Sequence, residues 1–220
     1  MPNWADTRVV YYGDRSNLER LYHAYNKAIH KRGEIWVDEL FDVIGFPVPD
    51  AVVNMRSSPY DCYLSKDVLY ACHNDAWEPD VEGYAALADA FNVDFDLFST
   101  EPGCCVAVKT DAQGNYFPEQ IVVFSHSELG NSDFDHPLLT LFDSSETYFS
   151  SFDELLSSIR VFLPGFDAKD IEDVQFQLDA ILQLCGVEPG IITICKVELL
   201  EKPIKVQRQV SPNVKAPVLC

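Results

Sequence analysis

The chain alternates between two hydrophobic periods, and the switches between them divide it into elements. Residues 6–13, DTRVVYYG, carry β-branched and aromatic side chains and end in Gly13-Asp14, which predicts a first strand and a turn. From residue 15 the period becomes helical. Leu18, Leu21, Tyr22, Tyr25, Ala28 and Ile29 recur on one face, Asp14 or Ser16 supplies the cap, and Lys31-Arg32-Gly33 closes a helix over 15–32. Trp36, Leu40, Phe41 and Ile44 share a side of a shorter helix over 36–44, and the prolines of FPVP, 46–49, force an extended segment. Residues 50–66 show no clean period and read as irregular. Residues 67–73, DVLYACH, predict a second strand. Trp77-Glu78-Pro79-Asp80 breaks it and caps a helix over 80–91, with Val81, Tyr84, Leu87, Ala88 and Phe91 in register.

The period then returns to two. Val93, Phe95 and Leu97 alternate with Asp94 and Asp96 in a strand over 93–100, which Glu101-Pro102-Gly103 joins to a strand over 104–110. The turn 111–115 leads to YFPEQIVVF, 116–124, so this region reads as a three-stranded meander. A polar loop over 125–136 follows, then a short strand around 138–142. Ser151 and Glu154 fit a capping box that opens a helix ending at Leu163. The longest helix spans 168–185, and IITICKVELL, 191–200, is the most strand-like run of all. Alternating strands with helices between them predict an α+β fold: an antiparallel sheet with helices packed on one face, plus a C-terminal helical and strand extension. The organisation read from this is a core over 1–125, an extension over 126–200 continuous with it, and an extended tail over 201–220.

Three short motifs occur in order: MPNW before the first strand, Trp77-x-Pro79 after the second, and Glu101-x-Gly103-Cys104 after the third. Together they resemble the YubB-type ferredoxin-like family, a domain of unknown function carried by plasmids, phages and other mobile elements. The likeness covers positions 1–13 and about 67–110. Where members commonly have Cys at position five, this chain has Ala5. Asn74-Asp75-Ala76 replaces a threonine-containing approach to the tryptophan, and a later glycine is missing. The resemblance implies a ferredoxin-like α+β sheet backed by helices. It implies no reaction.

Charge narrows the partners. Among 220 residues, 35 acidic and 16 basic side chains give a net charge of −19. Such a field repels phosphate backbones, so direct nucleic-acid binding is not expected, whereas a basic protein partner is favoured. A sharper form is a surface of carboxylates that imitates DNA, as an anti-restriction factor would. No apolar run approaches the roughly 18 residues of a membrane span, and Asp6 and Arg8 stand where a leader would be apolar. The seven cysteines include no C-x-x-C pair and read as reduced thiols of a cytoplasmic protein.

No standard catalytic signature is present, and neither a metal nor a cofactor is expected. The best candidate cluster is His73, Asp75, Glu78 and Glu101 with Cys104. His73 at a strand end and Glu101 at a turn would form a general acid/base pair if their strands brought them together; Trp77, Asp75 and Glu78 would line a ligand site beside them. The plainer readings are an exposed strand-end histidine and a glutamate that caps its own turn. His23 and His30 fall on a solvated helix face, and His126 and His136 with Glu128, Asp133 and Asp135 on a surface loop. Trp4 and Trp77 read as plugs at one end of the sheet core. The expectation is therefore a non-enzymatic interaction or accessory protein with an acidic surface, a homodimer through edge strands being open; the alternative is a small enzyme or ligand-binding domain with a cleft around His73 and Glu101.

Overall fold

Alternation along the first strand sets the layering of the molecule. In β1 (Trp4–Tyr12), Val9 and Tyr11 face one way into a core built with helices, while Val10 faces the other way. The computed structural model describes residues 3–31, 36–45, 47–125, 141–142 and 145–203. β1 is followed by α1 (Arg15–Ile29), the short helices α2 (Glu39–Ile44) and α3 (Asp50–Val53), and the hairpin β2 (Ser57–Leu64) and β3 (Val68–Ala76). Then come α4 (Val81–Phe91), β4 (Asp94–Glu101), a 3-10 turn (Pro102–Cys104) and β5 (Val106–Lys109). β1 pairs antiparallel with both β3 and β4, and the six-stranded order is β2-β3-β1-β4-β5-β9, where β9 is the C-terminal strand Glu198–Leu199. The four helices cover one face, burying Leu18, Leu21, Phe41, Leu87 and Phe91 against Val9, Leu69 and Leu97.

Local capping explains why the helices begin where the sequence places them. Asp14 accepts from the Ser16 amide, Asp80 from Gly83, and Ser151 from Glu154. The irregular reading of 50–66 is corrected: this stretch holds α3 and β2. Pro59 and a register shift between Pro59 and Asp61 mask the strand, and both are tolerated because β2 lies at the sheet edge.

A second correction concerns the meander. β5 pairs with β4, but β6 (Ile121–Ser125) leaves the first sheet and becomes the centre of a second, of order β7-β6-β8, with β7 (Glu146–Phe149) and β8 (Ile192–Lys196). The connection is held open by side chains. Asp111 accepts from the Tyr116 and Phe117 amides at 2.7 and 3.0 Å, and buried Lys109 donates to the Phe117 and Glu119 carbonyls, both at 2.7 Å. The division between the two sheets thus falls in 110–120, earlier than the expected 125, and β9 (Glu198–Leu199) returns beside β5. Replacing Lys109 with methionine should cost about 2–3 kcal/mol in urea unfolding, because two carbonyls lose a charged donor; a loss below about 0.5 kcal/mol would show that water replaces it.

Helices α5 (Phe152–Phe162) and α6 (Ile171–Leu184) cover the outer face of the second sheet through Leu155, Ile159, Val174 and Leu178. Gln175 on α6 closes the free edge of β8. Its amide donates to the Ile192 carbonyl at 2.8 Å and accepts from the Ile194 amide at 2.9 Å. The sheets meet through Val10, Phe98, Ala107, Phe117, Val122 and Phe124. The expected fold has helices on one face of the sheet only; this contact covers the other face of β4 as well, and Phe95 through Glu101 are all buried. Asp96 survives there by accepting from Tyr12, Thr110 and Lys202 at 3.0, 3.0 and 2.9 Å. Arg8 bridges the layers, its guanidinium 4.6 Å from the Phe98 ring centre and 5.0 Å from that of Tyr148. The loop with His126 and His136, and the strand read around 138–142 apart from Leu141 and Phe142, lie outside the described residues, as does the tail beyond 203. Among the described residues no helix is long and apolar enough to cross a membrane.

Candidate functional site

The three ordered motifs meet at one end of the first sheet. The Trp77 amide donates to the Asn3 carbonyl at 2.9 Å, the Asn3 side-chain amide donates to Cys104 Sγ at 3.5 Å, and Trp4 lies opposite Ala76 in the β1–β3 register. Gly103 permits this approach. A Cβ there would stand 2.9 Å from both Asn3 Nδ2 and Glu101 Oε1. Glu101 is buried and caps its own turn, accepting from the Gly103 and Cys104 amides.

His73 is not an exposed strand-end residue. β3 runs three residues past it, so the ring sits under α1, fully buried. Nε2 is hydrogen-bonded to the Tyr25 hydroxyl and Nδ1 to the Ser57 hydroxyl, each at 2.8 Å. Burial holds the imidazole down to about 3, so it is neutral across the physiological range. The network continues both ways. Tyr25 meets the Tyr11 hydroxyl at 2.9 Å; Ser57 meets the Tyr84 hydroxyl at 3.2 Å, and Tyr84 donates to Asp75 at 2.9 Å. Strands β1, β2 and β3 and helices α1 and α4 all contribute to this one buried chain of polar groups.

His73 and Glu101 do share the helix-covered face. Thr7 lies opposite both His73 and Ser99, and Glu101 follows Ser99 by two residues. They nevertheless do not pair, because His73 is engaged by Tyr25 and Ser57 and Glu101 by its turn.

The proposed ligand residues do come together. Asp75, Trp77 and Glu78 line a cavity of about 190 Å³ with Arg56, Asp80 and Met55. Asp75 forms its floor at 2% exposure. Burial pushes its carboxyl up to about 6, against the pull of the Ser57, Thr7 and Tyr84 hydroxyls. Sequence reasoning missed Ser57 and Arg56 because β2 and its approach were read as irregular. It placed Tyr25 and Tyr84 in the core by periodicity, which cannot reveal what their hydroxyls bond.

The expectation that Trp4 and Trp77 plug the core is overturned. They are 40% and 51% exposed, and Trp4 packs toward Trp36 at 6.4 Å between ring centres. Trp77 sits just past the end of β3 with φ of 74°, a left-handed backbone that is strained for a bulky residue and turns the indole outward. By the alternation of β1, Trp4 falls on the face opposite Ala5, Thr7 and Val9, which is the face away from the helices. Tyr60, Tyr63 and Tyr70 are exposed on β2 and β3; Tyr63 lies directly opposite Tyr70, and Tyr60 donates to Asp6 at 2.6 Å. Among the described residues, the second sheet packs over β1, β4 and β5 and leaves this aromatic and acidic strip exposed. His23 and His30 lie on the exposed face of α1. Comparison with protein-family models, with curated proteins and with solved structures returns no match.

Proposed function

We propose that the protein is a non-enzymatic interaction module that binds a basic protein partner through the uncovered face of β1, β2 and β3. One observation carries this reading: Trp4, Tyr60, Tyr63 and Tyr70 are exposed along one half-covered sheet face, interspersed with Asp6 and Asp61. Aromatic rings beside carboxylates suit the ammonium and guanidinium groups of a basic surface, and the net charge of −19 steers such a partner in. We further read residues 4–101 as a ferredoxin-like core of the YubB-type family. The strand order β2-β3-β1-β4, with helices between β1 and β2 and between β3 and β4, and the meeting of the three motifs at Asn3 support that assignment. Exposed carboxylates occur on both helical layers, among them Glu19, Glu82, Asp89, Asp153 and Glu172, which favours ordinary charge steering over a single DNA-like face. The free cysteines fit a reducing, cytoplasmic setting.

The double variant Tyr63→Ser/Tyr70→Ser tests the proposal. Both side chains are exposed, so the fold should hold. Immobilised wild type should retain a basic protein from an extract of the source cells and release it as salt screens the charges; the variant should retain about tenfold less. Identical retention by wild type and variant would overturn the assignment of this face. A ligand-binding domain is the second reading, and the cavity floored by Asp75 supports it.

A further inference from the structure

We propose that Cys105 and Cys195 form a redox modification site, a dithiol that a small-molecule disulfide converts into a covalent bond between the two sheets. The inference is independent of the partner-binding face. Both residues are free thiols. Cys195 lies on β8 and packs against the cluster that joins the sheets, and β8 contacts β5 there. Cys105 immediately precedes β5 and is exposed; the parallel β5–β9 register, Val108 beside Glu198 and Lys109 beside Leu199, carried back three residues sets Cys105 beside Cys195. The turn aims it. Cys105 has the left-handed backbone, φ 55° and ψ 39°, and its amide donates to the Pro102 carbonyl at 3.3 Å. Glu101, capping the same turn, holds that geometry. The neighbouring thiol is differently engaged: Cys104 Sγ accepts from Asn3. Cys105 Sγ donates to the Pro102 carbonyl at 3.8 Å, so the two adjacent, exposed cysteines have different partners, and Cys105 is the one in register with Cys195.

The chemistry balances as two exchange steps. The Cys105 thiolate attacks one sulfur of oxidised glutathione, the glutathione disulfide bond breaks, and one glutathione thiolate leaves. Cys195 then gives up its proton, attacks Cys105 Sγ, and expels the second glutathione as thiolate. Two protein thiols are oxidised, one glutathione disulfide is reduced to two thiols, and those take up the two protons. Before the first step, burial and the adjacent Cys105 hold the Cys195 thiol up to about 12. In the mixed disulfide Cys105 carries no charge, so its opposition to ionising Cys195 disappears. Burial remains, which makes the second step the slower one and accelerates it with rising pH.

The test treats the reduced, full-length chain with excess oxidised glutathione and maps disulfides by non-reducing peptide mass spectrometry. Cys105 should be joined to Cys195, and thermal unfolding should shift upward by about 5–10 °C, since the bond closes a loop of roughly 90 residues. In Cys195→Ser, Cys105 should stop at a stable glutathione adduct. In Cys105→Ser, Cys195 should stay unmodified, while Cys104 reacts as in wild type. A wild-type product that stops at the Cys105 adduct, a bond from either cysteine to another partner, or a chain that stays reduced would each overturn the proposal.

Discussion

Replacing His73 with alanine is expected to cost about 4 kcal/mol of folding stability, a large share of the 5–15 kcal/mol typical of a domain. Two costs combine. Removing a fully buried ring leaves a cavity beneath α1. It also takes one hydrogen-bond partner from the buried Tyr25 and Ser57 hydroxyls, each bonded to His73 at 2.8 Å, and leaves Tyr25 to Tyr11 and Ser57 to Tyr84. Tyr25→Phe removes a single hydroxyl and should cost less, about 1–2 kcal/mol. The double variant should fall well short of the sum, because both changes break the same bond. Urea unfolding measures all three. A loss below about 1 kcal/mol for His73→Ala would mean that the site is hydrated and the network is not a structural element.

The pH dependence of stability should separate the two titrating members of that network. Asp75 is pushed up to about 6 in the folded protein, from an ordinary value of 3.8. Between those values the folded chain holds a proton that the unfolded chain has released. Stability therefore falls as pH rises from about 4 to 6, by about 3 kcal/mol, and the penalty persists at neutral pH. His73 has the opposite sign. Its imidazole is held down to about 3 from 6.5, so between these values the unfolded chain holds the extra proton. Stability then rises with pH across that window, by about 5 kcal/mol, and is lost as pH drops through it.

Between pH 4 and 6 the two contributions nearly cancel in the wild type. Asp75→Asn should unmask the histidine, giving a curve that climbs from pH 4 to 6.5, while surface carboxylates contribute equally to both proteins. The difference in stability between wild type and Asp75→Asn should decrease by about 3 kcal/mol from pH 4 to 6. A flat difference would show that Asp75 ionises freely through its cavity.

How much of this was legible depends on the range of the interaction involved. The caps at Asp14, Asp80 and Ser151 were readable because each bonds an amide two or three residues away. The Glu101 cap was readable for the same reason. β1 declared itself by its β-branched and aromatic residues and the turn that follows, and β4 by alternation. β2 did not, because Ser57, Ser58, Pro59 and Asp61 make an extended strand only when β3 supplies the pairing. The partners of His73 lie 48 and 16 residues away, and no local pattern connects them.

The sequence by itself determined the α+β character, the helix starts, the turn at Glu101 and the acidic charge, because these follow from nearest-neighbour chemistry and composition. Only the tertiary structure decided that β6 would found a second sheet, that His73 would be sealed beneath α1, and that Trp4 and Trp77 would face outward. The burial of His73 depends on α1 packing on the helix-covered face; the second sheet and the exposure of Trp4 depend on which half of the first sheet the second one covers. That is settled by the packing of Val10, Phe98, Val122 and Phe124, residues distant in sequence whose shared face does not exist until the chain has folded.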